Sequence, residues 1–89
     1  MPARIELDGT TYQGAAWIGD EAPEMLDGGI RRVQRFSAWI PKEKLRTRPT
    51  EETAVVIAGL GFNVMEIAGD DPQQTEWVIR GMRTPGRDQ

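Results

Sequence analysis

The stretch Ile57-Ala58-Gly59-Leu60-Gly61-Phe62-Asn63-Val64, read IAGLGFNV, decides the fold. An apolar run ending in Gly-x-Gly opens either a nucleotide-binding strand with its phosphate loop or a hairpin between two strands. The first needs G-x-G-x-x-G leading into a helix, so that N–H groups at the helix start face a pyrophosphate. Here Val64 stands where the third glycine belongs. Phe62 and Val64 alternate at period two, as a continuing strand does, and the chain is too short for a parallel crossover around this motif. The stretch therefore reads as a hairpin turning at Gly59-Leu60-Gly61, entered by a strand over 53–58 and left by one through Phe62 and Val64. A longer helix over 42–58 is opposed by Pro49 and by the β-favouring run Thr53-Ala54-Val55-Val56-Ile57.

Outward from this hairpin the same signals recur. Beyond Val64 the apolar phase shifts to Met65 and Ile67, and a β-bulge near Met65-Glu66 returns Ile67 to the core. Gly69-Asp70-Asp71-Pro72-Gln73-Gln74 is a turn-rich connection, and Glu76 to Met82 forms the last strand, with Trp77 and Ile79 facing together. Residues 83–89 read as a loose tail. Towards the start, Arg4-Ile5-Glu6-Leu7 and Thr10-Thr11-Tyr12 flank Asp8-Gly9, a pair suited to a type I′ turn, and the second strand runs on to Ile18. Gly14, Ala15 and Ala16 leave room there for another strand to come close. A third long strand covers 30–40 and stops at Pro41, after which a single helical turn and a charged connection follow. Between the second and third strands, residues 19–29 hold glycine, proline and acids, with only Met25 and Leu26 as large apolar members. This reads as a long loop, either passive or ordered by a partner.

Six short strands, three hairpins and no helix predict an all-β fold, a small antiparallel barrel or sandwich that closes or folds over to hide its apolar faces. The expected core is Ile5, Leu7, Tyr12, Ala16, Ile18, Phe36, Ala38, Ile40, Val56, Phe62, Val64, Ile67, Trp77 and Ile79. Eighty-nine residues make one domain, with 38% hydrophobic and 28% charged residues, a globular balance. The net charge of −3 gives no broad attraction to phosphate backbones. No window reaches the roughly 20 apolar residues of a membrane helix, and the start lacks a signal-like apolar run.

Chemistry finds few candidates. Without His or Cys, general acid–base work falls to carboxylates, lysines or the single tyrosine, and thiolate nucleophiles and cysteine zinc sites are excluded. Ser37 has no Gly-x-Ser-x-Gly elbow around it. Asp70-Asp71 is followed by Pro72, Gln73 and Gln74, which is not the ligand pattern of a calcium loop. No catalytic residue, cofactor or metal is expected.

A binding surface is better supported. Arg31, Arg32 and Arg35 begin the third long strand beside the acidic loop holding Asp20, Glu21, Glu24 and Asp27. These charges either neutralise one another, worth little per exposed pair, or form a two-signed patch that meets its complement on another protein. Trp17 and Trp39 lie on strand faces opposite their core neighbours, as interface anchors or as covers for a barrel end. The candidate partner-binding residues are Asp20, Glu21, Glu24, Met25, Leu26, Arg31, Arg32, Arg35 and Trp39.

Taken together, several pieces resemble one family. They are Gly14-Ala15 leading to Trp17-Ile18, the acidic loop with Asp20 and Pro23, the strand around Phe36, and Ile57 before the hairpin. Phe62-x-Val64, the Asp70-Asp71 turn, and Arg80-Gly81 with Pro85 complete the set. From Ala3 to Pro85 the chain is similar to the small head-tail joining proteins of lambda-type tailed bacteriophages and prophages. It departs from them in lacking a helical N-terminal extension and in having Glu52-Thr53 where Gly-Asp is common. The resemblance implies a non-enzymatic β-barrel subunit without a cofactor, packed in a ring at the neck. It would meet phage head or portal-side proteins and tail proteins, without direct nucleic-acid or membrane binding. The implied location is the bacterial host cytoplasm during assembly and the virion neck afterwards, with Asp20 to Arg32, the start of the chain and Arg83 to Gln89 mobile before assembly. The alternative is a small bacterial β-barrel adaptor that binds a protein or peptide.

Overall fold

Asp8 and Gly9 turn the chain with φ of 49° and 89°, the doubly positive geometry that two-residue hairpins favour. They join β1 (Pro2–Leu7) to β2 (Thr10–Ile18). A computed structural model describes residues 1–85, in which five further strands follow: β3 (Ala22–Leu26), β4 (Gly29–Pro41), β5 (Val55–Ile57), β6 (Leu60–Ala68) and β7 (Glu76–Arg83). Among the described residues no helix is long and apolar enough to cross a membrane. Neighbouring strands run β2-β1-β5-β6-β7-β4, and β4 pairs back onto β2. The result is a closed antiparallel six-stranded barrel, with β3 as a seventh strand attached to β4 alone. Closure removes the two open edges that a flat sheet of these strands would expose.

The seam where β4 meets β2 runs from Ala15↔Trp39 to Ile18↔Phe36. A side chain at Gly14 would fall against the carbonyl oxygen of Trp39, so the missing Cβ is what lets the two strands approach. Inside, Ile5, Ala38, Ile40 and Ile79 are completely buried, and Phe36 and Phe62 cross the interior with ring centroids 4.7 Å apart. Tyr12, Ile18 and Ile67 are half-buried against this core, as is Leu45 from the connection between β4 and β5.

Four local expectations are corrected. The β5–β6 turn is centred on Ala58-Gly59, both at positive φ (55° and 79°), and Leu60 and Gly61 already belong to β6. The strand before it spans 55–57 instead of 53–58, and Val55 and Ile57 point inward while Val56 is only half-buried. Pairing sets this phase: Ile5 faces Ile57 and Leu7 faces Val55, and a one-residue offset flips every side chain to the opposite face. The third correction lies in residues 19–29, where β3 occupies part of the expected loop. The bulge, by contrast, lies where the phase shift indicated. The β6–β7 register slips between Val64 and Glu66, leaving Met65 outside and Ile67 packed against the core. Arg83, expected in the tail, ends β7, and the rest of that tail beyond Pro85 lies outside the described residues.

The connection over 42–54 is held at several points. A single turn forms as Lys44 and Leu45 N–H groups donate to the Pro41 carbonyl. Trp77 Nε1 donates to the Leu45 carbonyl at 2.8 Å, and the Lys42 ammonium sits 4.6 Å from the Trp77 ring centroid. Arg48 grips both oxygens of Asp70, at 2.6 and 3.3 Å. These hydrogen bonds hold the Asp70 carboxyl below its ordinary range and raise the Arg48 guanidinium. Asp71 folds its own turn, its carboxylate accepting from Gln73 N–H and its carbonyl from Gln74 N–H. The acid pair, exposed as it is, thus shapes the turn-rich connection between β6 and β7.

Candidate interaction surface

β2 and β3 lie in succession along the same side of β4. Ile18 opposes Phe36, and four residues later Ala22 opposes Val33. Three residues, Gly19-Asp20-Glu21, therefore face two, Gln34-Arg35, and this irregularity marks where the strand pair leaves the barrel. β7 reaches only as far as the Gln34↔Arg83 pair. Beyond it, β3 and the first part of β4 form a two-stranded arm of five residue pairs, closed by the turn Asp27-Gly28. At about 3.4 Å per residue the arm is roughly 17 Å long, in keeping with the molecule's 40 × 24 × 22 Å extents.

Its base is clamped. Gly19 N–H donates to the Arg35 carbonyl, Gln34 Nε2 donates to the Gly19 carbonyl at 3.0 Å, and Arg83 donates to Gln34 Oε1 at 2.7 Å. Ion pairs cross between the strands, Arg32 to Glu21 at 3.2 Å and Arg35 to Glu24 at 2.6 Å. The mutual neutralisation read from the sequence exists for these two pairs, each exposed and so worth about 0–1 kcal/mol. Arg31, directly opposite Glu24, has no carboxylate within 4 Å among the described residues, and neither Asp20 nor Asp27 has a cationic partner there.

The two faces of the arm differ. Alternation places Ala22, Glu24 and Leu26 with Arg31 and Val33 on one face, where Val33 is 2% exposed and Leu26 half-buried. The other face carries Pro23, Met25, Ile30 and Arg32, and there Met25 is 76% and Ile30 66% exposed. Met25 and Ile30 oppose each other directly. Two large apolar side chains are paired at the end of a projecting ribbon and are hidden by nothing among the described residues.

The arm thus gathers Asp20, Glu21, Glu24, Met25, Leu26, Arg31, Arg32 and Arg35, but not Trp39. That residue is half-buried on the barrel's outer wall between Ala15 and Val78, beside a shallow depression formed with Gln73 to Glu76. Trp17 is the aromatic near the arm, 55% exposed in a row Trp17↔Ser37↔Arg80↔Glu66 across four strands. With the bulged Met65, also 54% exposed, it lines an open groove of about 230 Å³ that reaches Arg35. Ile30, Gln34 and Met65 were not among the residues assigned to a binding surface from the sequence. The phase shift at Met65 was the available signal for an outward side chain there.

A second opening lies at the barrel end where β2 finishes. It is an apolar groove of about 450 Å³ lined by Ala3, Ala16, Ile18, Ile57 and Ala58, with Arg4 among its lining residues. No cluster of His, Cys, Asp and Glu suited to a metal ion occurs among the described residues. No known family model, curated protein or solved structure matches the chain.

Proposed function

We propose that this protein is a structural subunit of a lambda-type tailed phage or prophage, packing as a ring at the neck between head and tail. The observation that carries the reading is the arm. A closed barrel presents a stiffly rooted ribbon whose end holds exposed Met25 and Ile30, flanked by charges of both signs. Such a feature suits adhesion: apolar anchors supply affinity and the surrounding charges supply register. The family resemblance along Ala3 to Pro85 adds the phage setting, with head or portal-side proteins and tail proteins as partners. The work on this reading is mechanical and needs no cofactor.

A direct test uses particles of the phage that encodes the chain. Replacing residues 22–32 with a short glycine linker is expected to leave filled heads and finished tails that fail to join. Normal yields of infectious particles would reject the neck assignment for the arm. A gene position between those for portal, capsid and tail proteins is expected as well. The groove at Trp17, Met65 and Arg80 favours a second reading, an adaptor that takes a peptide along the barrel wall. In that case a Trp17→Ala variant would lose its partner while the arm-replaced variant kept it.

A further inference from the structure

We infer that the arm of one copy seats its Pro23-Met25-Ile30 face in the apolar groove at the barrel end of a second copy. The inference deepens the ring reading and rests on it only in that copies of this chain meet.

The two surfaces are complementary, and neither is filled by another described residue. One is convex: Met25 and Ile30 stand opposite each other at the end of the ribbon, exposed for most of their surface. The other is concave, walled by Ala3, Ala16, Ile18 and Ile57. They cannot satisfy each other within one molecule as it stands. Ile18 lines the groove and the arm departs immediately after it, yet Met25 and Ile30 remain in solvent. An arm of roughly 17 Å against a molecule 24 and 22 Å across its shorter axes is long enough to overlap a neighbouring barrel end.

Charge agrees with the fit. Arg4 at the groove makes no ion pair among the described residues, and Asp27 at the arm's turn makes none either. Docking brings an unpaired carboxylate towards an unpaired guanidinium and offsets part of the repulsion between copies that each carry −3. Backbone chemistry also points away from arm-to-arm pairing. Pro23 has no N–H and must occupy a non-bonded position opposite Arg32, so the open edge of β3 lacks a donor where another strand would need one. Made head-to-tail, a contact between such different patches propagates and closes into a ring when the rotation allows.

The absence of cysteine from the chain makes the test clean. Met25→Cys protein is mixed with Ala3→Cys protein and mildly oxidised, with Glu43→Cys as an exposed control in place of Ala3→Cys, and disulfides are mapped by mass spectrometry. The 25–3 disulfide is expected to exceed the 25–43 disulfide by about tenfold, since cysteine at 25 stays apolar, and Ile30→Asp in the arm is expected to remove that excess because it forces a carboxylate into the apolar groove. Asp27→Lys should lower the yield, and Arg4→Glu in the receiving copy should restore it. A predominance of 25–25 disulfides, or a 25–3 yield no higher than the control, overturns the inference. Assembly into a ring without the 25–3 disulfide would overturn the arm–groove contact while leaving the neck reading standing.

Discussion

Single residues set the closure of this barrel. Gly14 lies where β2 and β4 meet, and alanine there places a methyl group against the Trp39 carbonyl oxygen. Because that neighbour is backbone, the seam itself must open. Gly14→Ala is expected to destabilise the fold by about 1–3 kcal/mol, read as a lower midpoint in urea with an unchanged slope. Ala58 presents the opposite case, a residue with a Cβ held at φ of 55° in the β5–β6 turn. Ala58→Asn supplies the side chain such turns prefer before glycine and is expected to stabilise by about 0.5–1 kcal/mol, measured by the same denaturant titration. A loss of stability in that variant would mean that the turn conformation is not what limits this position. The turn position was the part of the opening motif that the sequence misplaced. Gly59, Leu60 and Gly61 offer two glycines, and only the pairing of Leu60 with Ile57 decides that Leu60 is already in a strand.

Among the elements, the arm was least legible in the sequence, for a physical reason. Asp27-Gly28 is the same turn signal as Asp8-Gly9, but the strand before it reads Ala-Pro-Glu-Met-Leu, with a proline and two large apolar residues. Proline demotes a strand unless its N–H side faces solvent, and whether it does is settled only by the partner strand. Two strands alone are marginal in water, so the clamp of Gln34, Gly19 and Arg83 at the base matters to the arm's order. Replacing residues 22–32 with a glycine linker should leave the barrel's thermal midpoint within a few degrees of the original, because most of the buried side chains belong to the other six strands. A collapse of the midpoint would show that the arm is part of the core through Val33. The connection over 42–54 gives a pH-dependent expectation. Asp70 is held below its ordinary value of 3.8 by hydrogen bonds from Arg48. Its contribution is therefore present above that value and disappears as pH falls through the lower folded value. Asp70→Asn should flatten the acid limb of a melting-temperature profile taken between about pH 2 and 5 and leave the order of the strands intact. An acid limb identical to that of the original protein would remove Arg48–Asp70 from the account.

For the whole molecule, alternation along the strands was enough to state an all-β body with Phe36, Ala38, Ile40, Phe62 and Ile79 inside, and these are buried. What alternation could not supply was phase in a strand of only three residues, β5, since Val55, Val56 and Ile57 are interchangeable by hydropathy. It was equally silent on which strands complete the circle, because the β2–β4 seam joins residues far apart in sequence. The surface was legible as a list of charges and not as a shape: eight of the nine chosen residues lie on the arm or at its base, while Trp39 belongs to another side of the barrel. One feature joins body and arm. β4 runs unbroken for 13 residues, its last part a stave of the barrel and its first part half of the ribbon. A tug on Ile30 is consequently felt along one continuous backbone as far as Ile40, without a joint to dissipate it, so a tip engaged by a neighbour behaves as the handle of a lever whose fulcrum is the barrel wall.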